Sequence, residues 1–197
     1  DHAPEHAQLE AQFEHEARLL AAFNHPGIPT LPPEAIAALR RDLLPRATLA
    51  TPNCFEAALL ADMDEVLTTE NMEEAAKRIF ADCGCPVIIT GGGLGSSSMD
   101  VYHGLDGTSH FETDLVQRED RVVGTGCTYA AAIVAQLARG EGMRESITAA
   151  KDYVAAMIRV APFSSPGNGT PICHCTAVEN LAEGEGIGVS TRTHRRL

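Results

Sequence analysis

The feature that most limits the possible folds is a short apolar run, P-V-I-I-T at residues 86–90, cut off by three successive glycines at 91–93. A run of that length closed by such a breaker reads as a buried strand. Residues 47–51 read as a second short buried strand, and residues 55–62 and 72–82 between the two carry helical periodicity. Strands alternating with helices predict an α/β chain with a mostly parallel sheet covered on both faces. Further along, Tyr102 and residues 110–117 can pair as antiparallel edge strands, because Gly104, Asp106 and Gly107 supply turn residues between them. Helices are expected at 128–139, stopped by Gly140, and at 143–160, followed by a Pro-, Gly- and Ser-rich remainder.

Two further helices precede this body. Leu9, Phe13, Ala17, Leu20 and Phe23 recur at spacings of three and four, and Asn24, His25, Pro26 and Gly27 stop the pattern. A second helix starts near Pro33 and is closed by Pro45. The chain opens on Asp1 rather than Met, which suggests processing or excision from something longer. We therefore expect a helical segment at 1–29 and one globular domain at 30–197.

Charge narrows the function classes. With 197 residues, 44% hydrophobic content and a formal net charge of −12, the chain can bury one core, and it lacks the clustered cations that a nucleic-acid backbone requires. The one basic cluster, Arg192, Arg195 and Arg196, reads as a solvated end. No apolar run approaches the ~20 residues of a membrane span, and no secretory signal is recognisable, so a soluble, cytoplasmic protein with reduced thiols is expected. Cys83 and Cys85 together with Cys173, His174 and Cys175 could form a zinc-like set, but a single intervening residue is poor spacing for a structural knuckle.

The most chemical stretch is Gly124-Thr125-Gly126-Cys127-Thr128, which leads straight into an Ala-rich helix. A helix start offers unspent backbone N–H groups and partial positive charge, and glycines let an anion approach them closely. Cys127, in the first turn, could act as a base. The competing reading is a Gly-rich turn that packs the helix on the sheet, with Cys127 as a small core residue. Likewise Asn53 and Glu56 form either a helix cap and its partner three residues on, or an amide and carboxylate facing the same way.

The string G-T-G-C-T-Y-A-A-A, a Gly stop and then A-A-K-D-Y-V resembles the signature of the phosphomethylpyrimidine kinases. The upstream L-P-P-E-A-I-A-A-L-R-R-D-L-L-P-R-A-T-L-A-T-P-N-C-F-E-A and the downstream P-G-N-G-T-P-I-C-H resemble segments of the same family in the same order. The resemblance runs from about Leu31 to His174. It implies a ribokinase-like, three-layer α-β-α fold and ATP-dependent phosphorylation of hydroxymethylpyrimidine or its monophosphate in thiamine biosynthesis, with Mg²⁺. Pyridoxal is the alternative substrate, and a catalytically incompetent half-domain is the alternative to an enzyme. By the same resemblance Cys127 is the base, and Gly124, Thr125 and Gly126 hold the transferred phosphoryl group. Asn53 and Glu56 organise Mg²⁺; Thr90, Gly91, Gly92, Gly169 and His174 contact the nucleotide. Asp100, in M-D-V-Y, matches a residue taken as structural. At 90–93 the chain has T-G-G-G where the family commonly shows a Lys-Gly-Gly-His-like strand end.

The family's N-terminal Gly-rich strands, which carry most of the pyrimidine pocket, have no counterpart before Leu31. Instead F-E-H-E-A-R-L-L-A-A-F-N-H-P-G-I-P resembles the helix-C region of Ser/Thr protein kinases, with Glu16 at its glutamate position. No other protein-kinase motif accompanies it. It reads as an unrelated or fused helix. An incomplete sheet of this kind makes a homo-oligomer the expected state.

Overall fold

The computed structural model describes residues 32–92, 97–117, 122–161, 170–171 and 192–195. The N-terminal helix expected before residue 30, together with Gly93, Gly169 and His174, lies outside them. Helix α1 (Pro33–Ala38) starts on a proline, where the missing N–H is not needed. It widens into a π turn at Leu39–Leu43 and tightens to a 3-10 turn at Leu44–Arg46, since Pro45 cannot continue the ladder. Helices α2 (Cys54–Ala61) and α3 (Thr69–Cys83) follow, the latter started by the Thr68 side chain and ended at Gly84 in the left-handed conformation.

Strand β1 (Val87–Thr90) pairs antiparallel with β2 (Ser97–Gly104), and β2 pairs antiparallel with β3 (Gly107–Asp114) across Leu105 and Asp106. A short β4 (Val122–Val123) leads into α4 (Thr125–Ala138), and α5 (Met143–Val160) comes next. Strand β5 (Thr170–Pro171) pairs parallel with β4, and β6 (Arg192–Arg195) pairs antiparallel with β3.

Among the described residues the main sheet, in order β1-β2-β3-β6, is therefore antiparallel, and the mostly parallel sheet expected from the alternation is not what they form. The reason is connection length. Residues 91–96 and 105–106 are too short for a parallel crossover, which needs about a dozen residues or more. Parallel pairing survives at the expected 47–51 segment as two isolated bridges, Ala50 with Val87 and Asn53 with Thr90. Ala50 and Pro52 exchange backbone bonds with Pro86, Ile88 and Thr90. Pro52 has no N–H to give the intervening bond, so the ladder breaks into two bridges. Residues 192–195 of the basic segment form the edge strand β6.

Both faces of the sheet are covered. Val87, Ile89 and Val101 share one buried cluster with Ala57 and Leu60 of α2 and with Met72, Ala75, Ala76 and Ile79 of α3. Ile88, Tyr102 and Phe111 share the other with Tyr129 and Ile133 of α4 and Ile147 and Ala150 of α5. This alternation follows from the two-residue period of a strand, and each fully buried Val, Ile or Phe contributes roughly 1.5–3 kcal/mol. One buried polar link joins the layers on the first side, His110 Nε2 of β3 to Glu73 Oε1 of α3 at 2.9 Å. No helix among the described residues is long and apolar enough to cross a membrane.

Candidate active site

Where β1, β2 and β3 meet α4 and α5, the structure opens a cavity of about 300 Å³. Thr90 and Gly92 line it from the end of β1, and Thr125, Gly126 and Tyr129 line it from the start of α4. Leu115, Val116 and Val122 add apolar wall beyond β3, and Val154, Ala155 and Ile158 add it from α5. Two groups of residues singled out in the sequence, 35 positions apart between Thr90 and Thr125, thus face one space.

The start of α4 has the form that anion binding requires. Gly124 caps it at φ 89°, a left-handed conformation that favours glycine, and a side chain there would point into open space. The first helical hydrogen bond runs from the Thr128 amide to the Gly124 carbonyl. The amides of Thr125 and Gly126 are thus not used by the helix ladder, and they sit at its positive end. The helix begins three residues earlier than periodicity indicated, because the Thr-Gly pair enters it. Cys127 is exposed rather than part of a core, and it is not among the lining residues, although Gly126 before it is.

Asn53 and Glu56 form a capping box. Asn53 Oδ1 accepts the Glu56 amide at 3.0 Å, and Glu56 Oε2 accepts the Asn53 amide at 2.8 Å. This realises the structural reading of the pair and leaves room for the other. Glu56 is 7% exposed, and its Oε1 has no hydrogen-bond partner among the described residues. Burial pushes its pKa up, against the two bonds from Asn53 that pull it down. A buried carboxylate oxygen without a partner is a group that a cation could satisfy, but neither Asn53 nor Glu56 lines the cavity; the bridge from Asn53 to Thr90 puts the box one strand from it. The α4 amides suit the phosphate groups of a nucleotide on the same grounds.

The floor of the cavity holds residues that the sequence did not mark as functional. Lys151 Nζ meets Asp100 Oδ2 at 2.7 Å and Ser98 Oγ at 3.2 Å, with both charged residues buried. Asp100 Oδ1 accepts the Gly91 amide at 3.1 Å, a donor shared with the Met99 carbonyl at 3.0 Å. The Tyr129 hydroxyl is buried without a completed hydrogen bond among the described residues, and burial, with the nearby Asp100 charge, raises its pKa well above the usual value. One signal for Lys151 was available. It interrupts a small-residue and apolar face, Ile147, Ala150, Val154, Ala155 and Ile158, at helical spacing. A lysine on such a face needs a buried partner.

A family model described as phosphomethylpyrimidine kinase matches residues 23–171. The chain belongs to the phosphomethylpyrimidine kinase family. It is 41% identical over 129 residues to the pyridoxine kinase of Bacillus subtilis, 64% of this chain and 47% of that protein. It is 36% identical over 147 residues to the hydroxymethylpyrimidine/phosphomethylpyrimidine kinase of Rhizobium meliloti, 73% of this chain and 54% of that one. The solved pyridoxal kinase from Staphylococcus aureus in complex with ADP superposes with a TM-score of 0.72 at 31% identity, covering 83% of this chain and 58% of its own. That likeness assigns the ribokinase-like fold. The chain spans about half the length of the curated relatives it matches.

Proposed function

We propose that this chain carries the nucleotide-handling and phosphoryl-transfer side of an ATP-dependent kinase acting on the hydroxymethyl group of a nitrogen-containing aromatic ring, or on the phosphate that such a group already carries. The observation that carries the reading is the single cavity shared by Thr90 and Gly92 of the β1 end and by Thr125 and Gly126 at the α4 amides. Those amides, with Gly124 clearing their approach, hold the charge that builds on the phosphoryl group in transit, which supplies most of the catalysis in reactions of this kind. Cys127, exposed beside them, takes the proton of the attacking hydroxymethyl or phosphate oxygen. Glu56, with Asn53, would hold Mg²⁺, which would offset phosphate charge. Gly169 and His174 complete the nucleotide contacts in this reading, whereas Gly91, expected among them, is buried with its amide bonded to Asp100 and Met99 and does not line the cavity; the protein works in the cytoplasm.

Hydroxymethylpyrimidine or its monophosphate, in thiamine biosynthesis, is the substrate we favour, supported by the family match and by a cysteine at position 127. Pyridoxal is the second reading, favoured by the 41% identity to the Bacillus subtilis pyridoxine kinase. ATP consumption by the 197-residue chain, measured with each substrate in turn, decides between them. Turnover that depends on one of the two and disappears in Cys127→Ala supports the corresponding reading. No turnover with either would leave a half-domain that is not itself a kinase, and the proposal would fall.

A further inference from the structure

A cavity that is to hold a polyphosphate, lined by the exposed Asp114 and with Asp100 buried in its floor where solvent screens it least, poses an electrostatic problem. Asp100 is needed where it stands, since its Oδ1 holds the Gly91 amide and so fixes the β1 end beside Thr90 and Gly92. Its charge would nonetheless repel a polyphosphate in the same cavity, and the low dielectric of a buried site leaves that repulsion poorly screened. Lys151 stands 2.7 Å from the other carboxylate oxygen, its side chain 6% exposed against 5% for Asp100. Ser98 Oγ accepts a second bond from the same ammonium group. The pair is held from three sides, by Gly91 just after β1, by Ser98 and Asp100 in β2, and by Lys151 in α5.

We propose that Lys151 is a positioning residue whose charge cancels that of Asp100, so that Asp100 can anchor the nucleotide-side strand end without repelling the nucleotide. The inference deepens the ATP-binding reading above and rests on it. It does not require Lys151 to touch a phosphate. Its electrostatic content separates it from simple packing: removing the cation should be harmful only while the carboxylate remains. The harm should also grow with the charge of the ligand.

The test measures binding of AMP, ADP and AMP-PCP to the 197-residue chain by calorimetry, with thermal melts to confirm folding. Lys151→Met is expected to weaken ADP binding at least tenfold, with a smaller loss for AMP and a larger one for AMP-PCP. The double variant Lys151→Met/Asp100→Asn, which keeps an acceptor for the Gly91 amide and removes both charges, is expected to return ADP affinity to within threefold of the original chain. Equal losses for all three ligands, or a double variant as weak as Lys151→Met, would overturn the proposal. If Lys151→Met does not fold, Asp100→Asn carries the test with the opposite sign. It leaves the ammonium group unopposed, so ADP should bind at least threefold tighter, and weaker binding sinks the idea. Failure of the unsubstituted chain to bind any of the three removes the nucleotide reading and this inference with it. Binding that ignores the substitutions removes the inference alone.

Discussion

Replacing Gly91 with alanine should damage the protein far more than replacing Gly92, although the two are neighbours in one glycine run. A Cβ at Gly91 would overlap the Met99 carbonyl oxygen and approach Met72 Cε to 3.2 Å. The oxygen belongs to the backbone of β2, so it cannot rotate away, and β1 and β2 must separate. That separation breaks the Gly91 amide bonds to Met99 and Asp100, at 3.0 and 3.1 Å. Overpacking of this kind costs about 1–3 kcal/mol, and one shared donor bond, partly to a carboxylate, contributes about 1–2 kcal/mol. The expected loss is about 2–5 kcal/mol, which lowers the melting temperature of a chain this size by about 5–15 °C. Gly92 sits at φ 50° with open space around a would-be Cβ, so alanine there costs roughly 1–2 kcal/mol of backbone strain. Urea unfolding of both variants, followed by circular dichroism, measures the difference. Equal midpoints for the two, or a loss below about 1 kcal/mol at Gly91, would refute the close-approach argument.

Asn53→Ala removes the cap of α2 and should cost about 1 kcal/mol in urea unfolding, whereas Asn53→Asp keeps an acceptor for the Glu56 amide and should leave stability nearly unchanged. Glu56 has its pKa raised in the folded state, so its contribution to stability is complete below the unfolded value and is lost as the pH rises through the folded one. Glu56→Gln in a chelator-containing buffer should therefore gain on the original chain between pH 4 and pH 8; a difference that stays flat across that range would contradict the assignment. Burial pushes the Cys54 and Cys85 thiols up to about 11, while Cys127 is exposed. Alkylation at pH 8 with peptide mapping should label Cys127 before either of them, and the reverse order would argue against an accessible sulfur at the start of α4.

Several local features match the sequence pattern, although α4 begins at Thr125 rather than 128 and residues 47–51 form only isolated bridges. Helix α5 begins and ends where periodicity put it, β1 falls within the P-V-I-I-T run, and the Asn53–Glu56 box is a three-residue pattern that the chain carries wherever it folds. The Gly-Thr-Gly run announced the start of α4, because glycine spacing and helix ends are properties of a few consecutive residues. The antiparallel pairing of β2 with β3 was legible in the turn residues Gly104, Asp106 and Gly107, whereas the antiparallel character of the main sheet as a whole was not, since it depends on where connections return rather than on strand composition. Strand β6 was hidden by its own charge; only the free edge of β3 makes it a strand. Lys151 and Asp100 lie 51 residues apart, and Glu73 and His110 lie 37 apart. A single chain read in order offers no measure of which buried charge will meet which. The sequence by itself determined the main helices, strand β1 and the glycine-led start of α4. The tertiary structure decided the strand order and the charge balance beneath the cavity, because both arise from contacts between distant segments whose free energy exists only once the layers have packed.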